Sequence, residues 1–296
     1  MKVINFGSIN IDHVYEVEHF VRPGETLKSG SYSIFSGGKG ANQSLSLARA
    51  GAKVLHAGKI GEEGRWIKER LQESGVDTDL IIITDTPTGH ALIQVNTEGE
   101  NAIIIHGGAN ETITEDDIES VFAMADRGDC LLVQNEINFV DKIIQKAKEK
   151  GLLVVFNPAP VNEAVRAYPL EFVDIFIINA VEGEMLTQES DSKAIIQRMQ
   201  ERYPKSRTVL TLGTKGLLYG DDKEVLSLPA LKVKAVDTAG AGDTFIGYFL
   251  AELIRGRKIE KCLKMGIQAS AVCVTRKGAG DSIPLRDEVE NFNGLV

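Results

Sequence analysis

The sequence predicts an α/β protein built on a mostly parallel β-sheet that is covered on both faces. Short runs rich in Val, Ile and Leu alternate with helical patterns along most of the 296 residues. Continuous apolar strands that alternate with helices are typical of a parallel sheet with helices on both faces. The predicted strands cover residues 3–6, 54–57, 80–83, 130–133, 152–156, 175–178 and 209–212.

Three helical segments have recognisable patterns. Apolar residues recur on one face over 139–147, and Gly151 follows as a plausible C-terminal cap. Residues 244–254 are apolar almost all round apart from Glu252, which predicts a buried helix. Residues 261–274 carry small side chains that would permit close helix packing.

Two segments, residues 12–35 and 89–106, interrupt this alternation with β-type patterns. The second predicts a hairpin, with a polar turn between residues 91–96 and 102–106. A small β layer made from two separated segments is the kind of element that forms a lid over an active site. An edge extension of the main sheet is the alternative. We otherwise expect a single α/β domain over residues 1–296.

Composition and charge exclude several classes of protein. The net charge of −9 disfavours general binding to nucleic acid or to anionic membranes, since both depend on basic surfaces. No apolar run approaches the roughly 20 residues of a membrane span, and the N-terminus predicts a strand rather than a signal peptide, so the expected location is the cytoplasm. Three cysteines without CxxC spacing are expected to be buried, reduced thiols.

Several common ligand motifs are absent from the sequence. It contains no GxxxxGK[ST] phosphate loop, and Gly7 is not followed by a GxGxxG pattern. The five histidines all lie before residue 107 and lack the spacing of metal ligands, which disfavours a histidine-based metal site. Glycine is in excess, at 29 residues, which predicts unusually tight loops or backbone that approaches a ligand closely.

The densest candidate site reads Asp-Thr-Ala-Gly-Ala-Gly-Asp-Thr-Phe, from Asp237 to Phe245, just ahead of the predicted buried helix. Small residues leave backbone N–H groups at a helix N-terminus free to bind an anion. A carboxylate at Asp243 could accept a proton from a substrate hydroxyl while these amides stabilise a transferring phosphoryl group. A glycine turn in which Asp243 only caps the helix would give the same pattern.

A second candidate site opens a helix that is predicted to end near Gly51, with the sequence Ser-Gly-Gly-Lys-Gly-Ala-Asn-Gln at residues 36–43. Gly37 and Gly38 would allow backbone to approach closely, and Lys39 and Asn42 supply donors suited to a polyhydroxylated ligand. A simple strand-to-helix turn is the alternative.

A third candidate pair, Asn10 and Asp12, follows the first strand, where α/β sheets place ligand groups. Two short polar side chains there would suit neighbouring hydroxyls, although for this pair alone an Asx turn is the better explanation.

Taken together, these segments resemble the ribokinase family of sugar kinases. The resemblance rests on residues 7–12, GGKGAN at 37–42, Asn-Pro-Ala-Pro at 157–160, Thr-Leu-Gly at 211–213, DTAGAGD at 237–243 and Val-Thr-Arg-Lys-Gly-Ala at 274–279. These segments occur in the family's order and cover nearly the whole chain. Residues 95–96, 98–101 and 105–106 add to the likeness.

The resemblance implies a three-layer α/β fold with a β lid that commonly forms a homodimer interface. It implies ATP-dependent phosphorylation of a sugar's primary hydroxyl, with ribose to ribose 5-phosphate as the first expectation. ATP, Mg²⁺ and K⁺ as a monovalent activator are the implied cofactors. No nucleic acid or membrane partner is expected.

The resemblance also implies roles for individual residues. Asp243 would be the base, with Gly240, Ala241 and Gly242 forming the anion hole. The implied sugar contacts are Asn10, Asp12, Gly38, Lys39, Asn42, Glu136 and Asp243; the nucleotide contacts are Asn179, Thr211 and Gly213. The implied potassium loop comprises Asp237, Ala239, Cys273, Arg276, Gly278 and Ser282, and Glu182 is linked to magnesium and phosphate.

Three positions depart from the family pattern. Ala180 stands where proline is usual, Gln188 stands where glycine often follows Leu-Thr, and Asn135 replaces an expected apolar residue before Glu136.

The alternatives within the same chemistry are kinases for another sugar or nucleoside, such as deoxyribose, fructose or pseudouridine. A non-catalytic sugar sensor and a nicotinamide oxidoreductase are alternatives from other classes.

Overall fold

The computed structural model describes residues 1–292 and contains a nine-stranded sheet between two layers of helices, with a separate four-stranded sheet. The strand order of the large sheet is β13-β12-β11-β10-β9-β8-β1-β4-β5, with two antiparallel pairs, β11–β12 and β12–β13, and parallel pairs elsewhere. Its strands are β1 (Val3–Phe6), β4 (Val54–Gly61), β5 (Asp77–Thr84), β8 (Cys130–Gln134), β9 (Leu153–Asn157), β10 (Ile175–Asn179), β11 (Arg207–Thr211), β12 (Leu217–Gly220) and β13 (Val225–Leu228). The predicted fold class is confirmed.

Successive side chains of the large sheet enter two different cores. Ile4 and Phe6 pack with the helices of one layer, α3, α4 and α6, whereas Val3 packs with α1, α2, α7 and α8 of the other. Alternation of this kind follows from the two-residue period of a strand, and burial on both faces explains the continuous apolar runs. The helices are α1 (Lys39–Arg49), α2 (Arg65–Glu73), α3 (Glu115–Ala123), α4 (Val140–Lys150), α5 (Ala180–Thr187), α6 (Ser192–Arg202), α7 (Ala241–Ile254), α8 (Ile259–Cys273), α9 (Ala279–Ser282) and α10 (Arg286–Glu290).

Helix α7 is buried along most of its length, as its apolar composition predicts. Its buried exception, Glu252, forms ion pairs with Arg255 at 2.8 Å and Arg286 at 2.9 Å. Burial alone would raise the pKa of Glu252, but the hydrogen bonds from Arg286 and Arg255 hold it below the usual value. The buried charge is therefore matched, and it fixes α7 against α10.

The four-stranded sheet combines both β-type insertions and has the order β3-β2-β6-β7. Its strands are β2 (Asn10–Glu16), β3 (Ser31–Gly37), β6 (Gly89–Val95) and β7 (Asn101–His106). The two insertions are joined by the parallel pairing of β2 with β6, and the predicted hairpin is the antiparallel pair β6–β7. The sheet is separate from the large one, which excludes the edge-extension alternative.

Local predictions at the ends of helices and at the cysteines agree with the structure. Gly151 follows α4 in the left-handed conformation with φ of 76°, a region that glycine adopts without strain. Cys130, Cys262 and Cys273 are free and buried. Within residues 1–292, no helix is both long and apolar enough to cross a bilayer.

Candidate active site

The candidate site lies where the chain reverses its direction of travel across the large sheet. From β1 the chain proceeds to β4 and β5 on one side, and later from β8 to β11 on the other. In open α/β sheets, ligands bind outside the carboxyl ends of the strands at such a switch point. There the segments after β1 and β8 meet, since the Ser8 hydroxyl donates to Glu136 at 2.5 Å and the Lys39 backbone N–H donates to the same carboxylate at 3.0 Å.

Asp243 enters the site because α1 and α7 pack unusually closely. Gly247 permits this approach, since a Cβ there would overlap the side chain of Ser46, whose hydroxyl donates to the carbonyl of Thr244 at 3.0 Å. As a result both carboxylate oxygens of Asp243 accept a hydrogen bond from α1. Asn42 donates to Oδ2 at 3.1 Å, and Gln43 donates to Oδ1 at 2.8 Å.

The small sheet contributes Asn10 and Asp12 from β2. Asn10 is buried and its Oδ1 accepts from Asn110 Nδ2 at 2.7 Å. Gly37 on the neighbouring strand leaves room for the Asp12 carboxylate, because a Cβ at position 37 would overlap it. All seven predicted sugar-contact residues therefore lie in one linked group: Asn10, Asp12, Gly38, Lys39, Asn42, Glu136 and Asp243.

Three carboxylates of this group are close enough to influence one another's ionisation. Burial, with the charges of Glu136 and Asp243, raises the pKa of Asp12 from 3.8 to about 7. Burial also raises the pKa of Glu136 and of Asp243, although the Lys39 ammonium opposes the shift in both. Burial of Lys39 would lower its pKa, yet Asp243, Glu136 and Glu182 together hold it above the usual value. A carboxyl with a raised pKa is better suited to accept a proton near neutral pH.

The N-terminus of α7 has the open space that an anion site requires. Gly240 has φ of 73°, and a Cβ at this position would overlap Ala279. Its backbone conformation and its packing therefore account for glycine at position 240. Gly242 differs, because its φ is not positive and no atom outside the adjoining helix backbone lies within 4 Å of the position of a Cβ. Neither conformation nor packing against the protein accounts for glycine at 242. The free space therefore lies one residue from Asp243, at a helix N-terminus that attracts negative charge.

The predicted nucleotide residues lie farther along the same edge of the sheet. Asn179 and Thr211 end the adjacent strands β10 and β11 and are directly paired in register. Gly213 is exposed with φ of 57°. In this conformation Asn179 and Glu182 form a reciprocal capping box at the start of α5, so the carboxylate of Glu182 accepts hydrogen bonds from Asn179. The roles of these four residues toward nucleotide or magnesium stay predictions.

The residues of the predicted potassium loop come from two segments that contact each other. The carboxylate of Asp237 accepts from the N–H groups of Ala239 and Gly278, each at 2.9 Å. Cys273 Sγ lies 3.0 Å from Ser282 Oγ. The Arg276 guanidinium pairs with Glu288 at 2.6 Å, so only its backbone is free to face a cation. Potassium binding by these residues stays a prediction.

A divalent ion would have to arrive with its phosphates. Among residues 1–292 no group of three or more His, Cys, Asp or Glu side chains is arranged to hold a metal ion. Mg²⁺ in phosphoryl-transfer enzymes usually keeps several waters and is bound through one or two carboxylates plus substrate phosphates. Glu182 is the nearby carboxylate that could take part in such binding once released from its hydrogen bonds with Asn179, and its role toward magnesium stays a prediction.

Sequence reasoning gave no role to five polar residues that support the site: Ser8, Gln43, Asn110, Gln134 and Asn157. Ser8, Gln43 and Asn157 lie within the quoted motifs, whereas Asn110 and Gln134 were missed altogether. A buried polar side chain within or beside an apolar strand was the available signal, most clearly at Gln134. Asn135, which departs from the family pattern before Glu136, uses its side-chain amide in hydrogen bonds within the protein. It donates to the carbonyl of Pro160 at 2.6 Å and accepts from the Tyr168 hydroxyl at 2.9 Å.

Comparisons with known proteins agree with this arrangement. The chain is 37% identical over 295 residues to ribokinase of Haemophilus influenzae, covering 97% of this chain and 96% of that one. A solved ribokinase from Cryptococcus neoformans in complex with ADP superposes with a TM-score of 0.87 at 36% identity, covering 98% of both chains. A ribokinase from Arabidopsis thaliana complexed with ribose and ATP gives a TM-score of 0.86 at 29% identity, covering 98% of this chain and 97% of that one.

The family assignment rests on nearly the full length of the sequence. Residues 1–286 match the family described as pfkB family carbohydrate kinase. The match spans the switch-point residues, the small sheet and the N-terminus of α7. The predicted family and the predicted class of enzyme are both confirmed, and the chain belongs to the pfkB family of carbohydrate kinases.

Proposed function

We propose that this protein transfers the γ-phosphoryl group of ATP to the primary hydroxyl of ribose, giving ribose 5-phosphate and ADP. The observation that carries the proposal is the juxtaposition of Asp243 with the unfilled space at Gly242, beside the polar group around Asp12. A base, an anion-binding helix N-terminus and a hydroxyl-binding surface are what phosphoryl transfer to a sugar needs, since positioning and charge stabilisation dominate this chemistry. The likeness to ribokinases supports ribose as the acceptor.

In this proposal each group has one task. Asn10, Asp12, Gly38, Lys39, Asn42 and Glu136 hold the sugar hydroxyls. Asp243 accepts the proton of the primary hydroxyl as its oxygen forms the new bond to phosphorus, and the bond to the β-phosphate oxygen breaks to release ADP. The amides of Gly240, Ala241 and Gly242 stabilise the charge on the phosphoryl oxygens as they pass through the transition state.

ATP would lie along Asn179, Thr211 and Gly213 at the carboxyl edge of β10 and β11. Mg²⁺, when bound with ATP beside Glu182, would supply positive charge to the phosphates. K⁺ would be held by the loop formed by Asp237, Ala239, Cys273, Arg276, Gly278 and Ser282. An ion there would steady the segment before the α7 N-terminus, because Asp237 lies three residues ahead of Gly240.

The small sheet would act as a lid that excludes water and as the interface of a homodimer. Water would otherwise compete with the sugar hydroxyl for the phosphoryl group. Ile103 and Ile105 are exposed on the face that also carries Asp12, and Ile34, Leu92 and Ile104 are exposed on the opposite face. Exposed apolar residues on both faces support an interface there. We expect the protein to work in the cytoplasm as a single-domain enzyme.

The test is a coupled ADP-release assay on wild type and on Asp243→Asn, with ribose, deoxyribose, fructose and pseudouridine. We expect ribose to give the highest kcat/KM in wild type and Asp243→Asn to lose roughly 1,000-fold in kcat, the scale of a general base. Sugar binding measured by calorimetry should be largely kept in the variant. A highest kcat/KM on a nucleoside would contradict the ribose assignment, and sugar binding without ADP release would indicate a sensor.

The anion hole has its own test in two matched glycine substitutions within α7. Gly242→Ala meets no protein atom, so its unfolding free energy should stay level or rise by about 0.5–1 kcal/mol. Its kcat should nevertheless fall roughly 10-fold or more, because the methyl group enters the space for the phosphoryl group. Gly247→Ala is the control, since its Cβ overlaps Ser46 and should lower stability instead. Full activity in Gly242→Ala would contradict this use of the space.

The cation loop can be tested by exchanging the monovalent ion. Activity with ribose should be higher in potassium buffer than in sodium or choline buffer at equal ionic strength. Equal rates in all three buffers would remove the potassium assignment.

A further inference from the structure

A chain of buried amides leads away from Asp243 into the protein, and the proposed roles leave it unexplained. Gln43 is fully buried, and its Nε2 donates to Asp243 Oδ1 at 2.8 Å and to Asn157 Oδ1 at 3.2 Å. Its Oε1 accepts from Gln134 Nε2 at 2.6 Å. Both N–H bonds of the Gln43 amide are thus used, and neither faces the open side of the site.

The direction of this amide is fixed by backbone carbonyls at the two ends of the chain. Asn157 Nδ2 donates to the carbonyl of Ile177 at 2.9 Å, which leaves Asn157 Oδ1 as an acceptor toward Gln43. At the other end, Asn5 Nδ2 donates to the carbonyl of Gly40 at 2.7 Å, which leaves Asn5 Oδ1 to accept from Gln134 at 2.9 Å. A carbonyl only accepts hydrogen bonds, so every amide between the two ends has one allowed orientation.

Reversing Gln43 would bring its oxygen against the oxygens of both Asp243 and Asn157. Reversing Gln134 would place its oxygen against the oxygens of Asn5 and Gln43. Reversal of Gln43 would break three hydrogen bonds and reversal of Gln134 two. Both lie in a buried region, where unmet polar groups cost about 1–3 kcal/mol each. The network therefore presents a donor to Asp243 before any ligand binds.

Asn42, the other donor to Asp243, differs from Gln43 in its surroundings. Asn42 belongs to the group expected to contact sugar, so its amide would be shared between the carboxylate and a ligand. Gln43 has partners only within the protein, so no role toward the sugar competes with its hydrogen bond to Asp243.

We propose, resting on the assignment of Asp243 as the base, that Gln43 is a positioning residue that keeps the Asp243 carboxylate charged and fixed in one rotational position. A hydrogen bond donated to a carboxylate favours its ionised form, and two donors on separate oxygens define the plane of the group. Asn157 and Gln134 act one step farther away, by holding the Gln43 amide in its donating direction. The dependence spans the fold, since Gln43 and Asp243 are 200 residues apart.

The test compares Gln43→Met with wild type in kcat, in KM for the sugar and in the pH dependence of kcat. Methionine is close in size to glutamine and donates no hydrogen bond. We expect kcat at pH 7 to fall roughly 10- to 100-fold with KM for the sugar within about 3-fold. The acid limb of the profile should move to higher pH, because loss of a donor to the charged form raises the pKa of Asp243.

Gln268→Met is the matched control, because the Gln268 amide on α8 also donates to two acceptors, here the backbone carbonyls of Val289 and Phe292. It should lose some stability and keep the wild-type acid limb. If Gln43→Met does not fold, Gln43→Glu keeps the shape of the side chain. Its carboxylate facing Asp243 should move the acid limb still higher.

The outcomes separate this inference from the proposed function. If Asp243→Asn remains active, the assignment of the base is wrong, whatever Gln43 does. If Asp243→Asn is inactive but the folded Gln43 variant has the kcat and acid limb of wild type, only the positioning role is overturned. A fall in melting temperature with an unchanged profile also overturns it, because that is what a purely structural glutamine would show.

Discussion

The two sheets of this protein bury their side chains to very different degrees. Every residue of β1, β4 and β8 in the large sheet is buried, whereas β7 of the small sheet has five exposed residues out of six. The small sheet is well buried only where it meets the body of the protein, for example at Asn10 and Ile11 on β2 and at Ser36 and Gly37 on β3. The large sheet thus has its own core, while the small sheet depends on its attachment and on whatever covers it.

This contrast locates the site at the border between a rigid and a weakly supported element. Asp243, Glu136 and the amide network belong to the body, where packing fixes their positions. Asp12 belongs to the small sheet, just beyond its well-buried end. Under the proposed function, a site divided in this way would hold its base still while the part expected to contact the sugar opens and closes.

The largest effect that separates the two sheets should come from the same substitution made in each. Ile178→Ala on β10 removes a side chain that is 1% exposed, and Ile104→Ala on β7 removes one that is 66% exposed. For the monomer we expect about 4 kcal/mol of lost unfolding free energy for the first substitution and no more than about 0.5 kcal/mol for the second. Urea unfolding monitored by circular dichroism measures both. Equal losses would show that the small sheet is as well covered as the large one.

A smaller effect should appear in the pH dependence of stability through Asp12. Its pKa is about 7 in the folded protein against 3.8 ordinarily, so between about pH 4 and 7 the native state holds a proton that the unfolded state has lost. The contribution of Asp12 is therefore fully present below pH 4 and is lost as the pH rises through 7. At about 1.4 kcal/mol per unit the shift equals about 4 kcal/mol, and we expect about half because water screens a partly exposed carboxyl.

Unfolding of wild type and Asp12→Asn in urea from pH 4.5 to 8 would measure this effect. Asparagine does not titrate, so the unfolding free energy of Asp12→Asn relative to that of wild type should increase as the pH rises across this range. A constant difference between the two proteins would mean that Asp12 ionises as it does in water.

The smallest expected change in unfolding free energy comes from a substitution on the outer face of the small sheet, the face opposite the one that carries Asp12. Ile34, His13, Leu92 and Ile104 lie side by side across its four strands. If this row joins two copies of the chain, Ile104→Lys should halve the mass in solution at micromolar concentration while leaving the unfolding free energy of the monomer within about 0.5 kcal/mol. Sedimentation of wild type and variant decides the matter, and a wild-type monomer would contradict the proposed dimer.

Much of the fold could be predicted because its signals are local. The strand cores at residues 3–6, 130–133 and 175–178 were predicted from apolar runs, and the structure extends each by at most one residue. The hairpin over 89–106 was recognisable from its polar turn. The pairing of β2 with β6 was not, since it joins segments far apart in the chain and both lack a distinctive partner signal.

The sequence by itself determined the fold class, the positions of the glycine-rich motifs and the likeness to a family of carbohydrate kinases. Only the tertiary structure decided what each glycine is for. Gly37 leaves room for Asp12 and Gly247 lets α1 approach α7, while Gly242 alone among these three faces open space. The tertiary structure also decided that the pKa of Asp12 is raised to about 7 and that Gln43 donates a hydrogen bond to Asp243. The physical reason is that burial and hydrogen-bond partners depend on atoms brought together from distant parts of the chain, which local patterns do not encode.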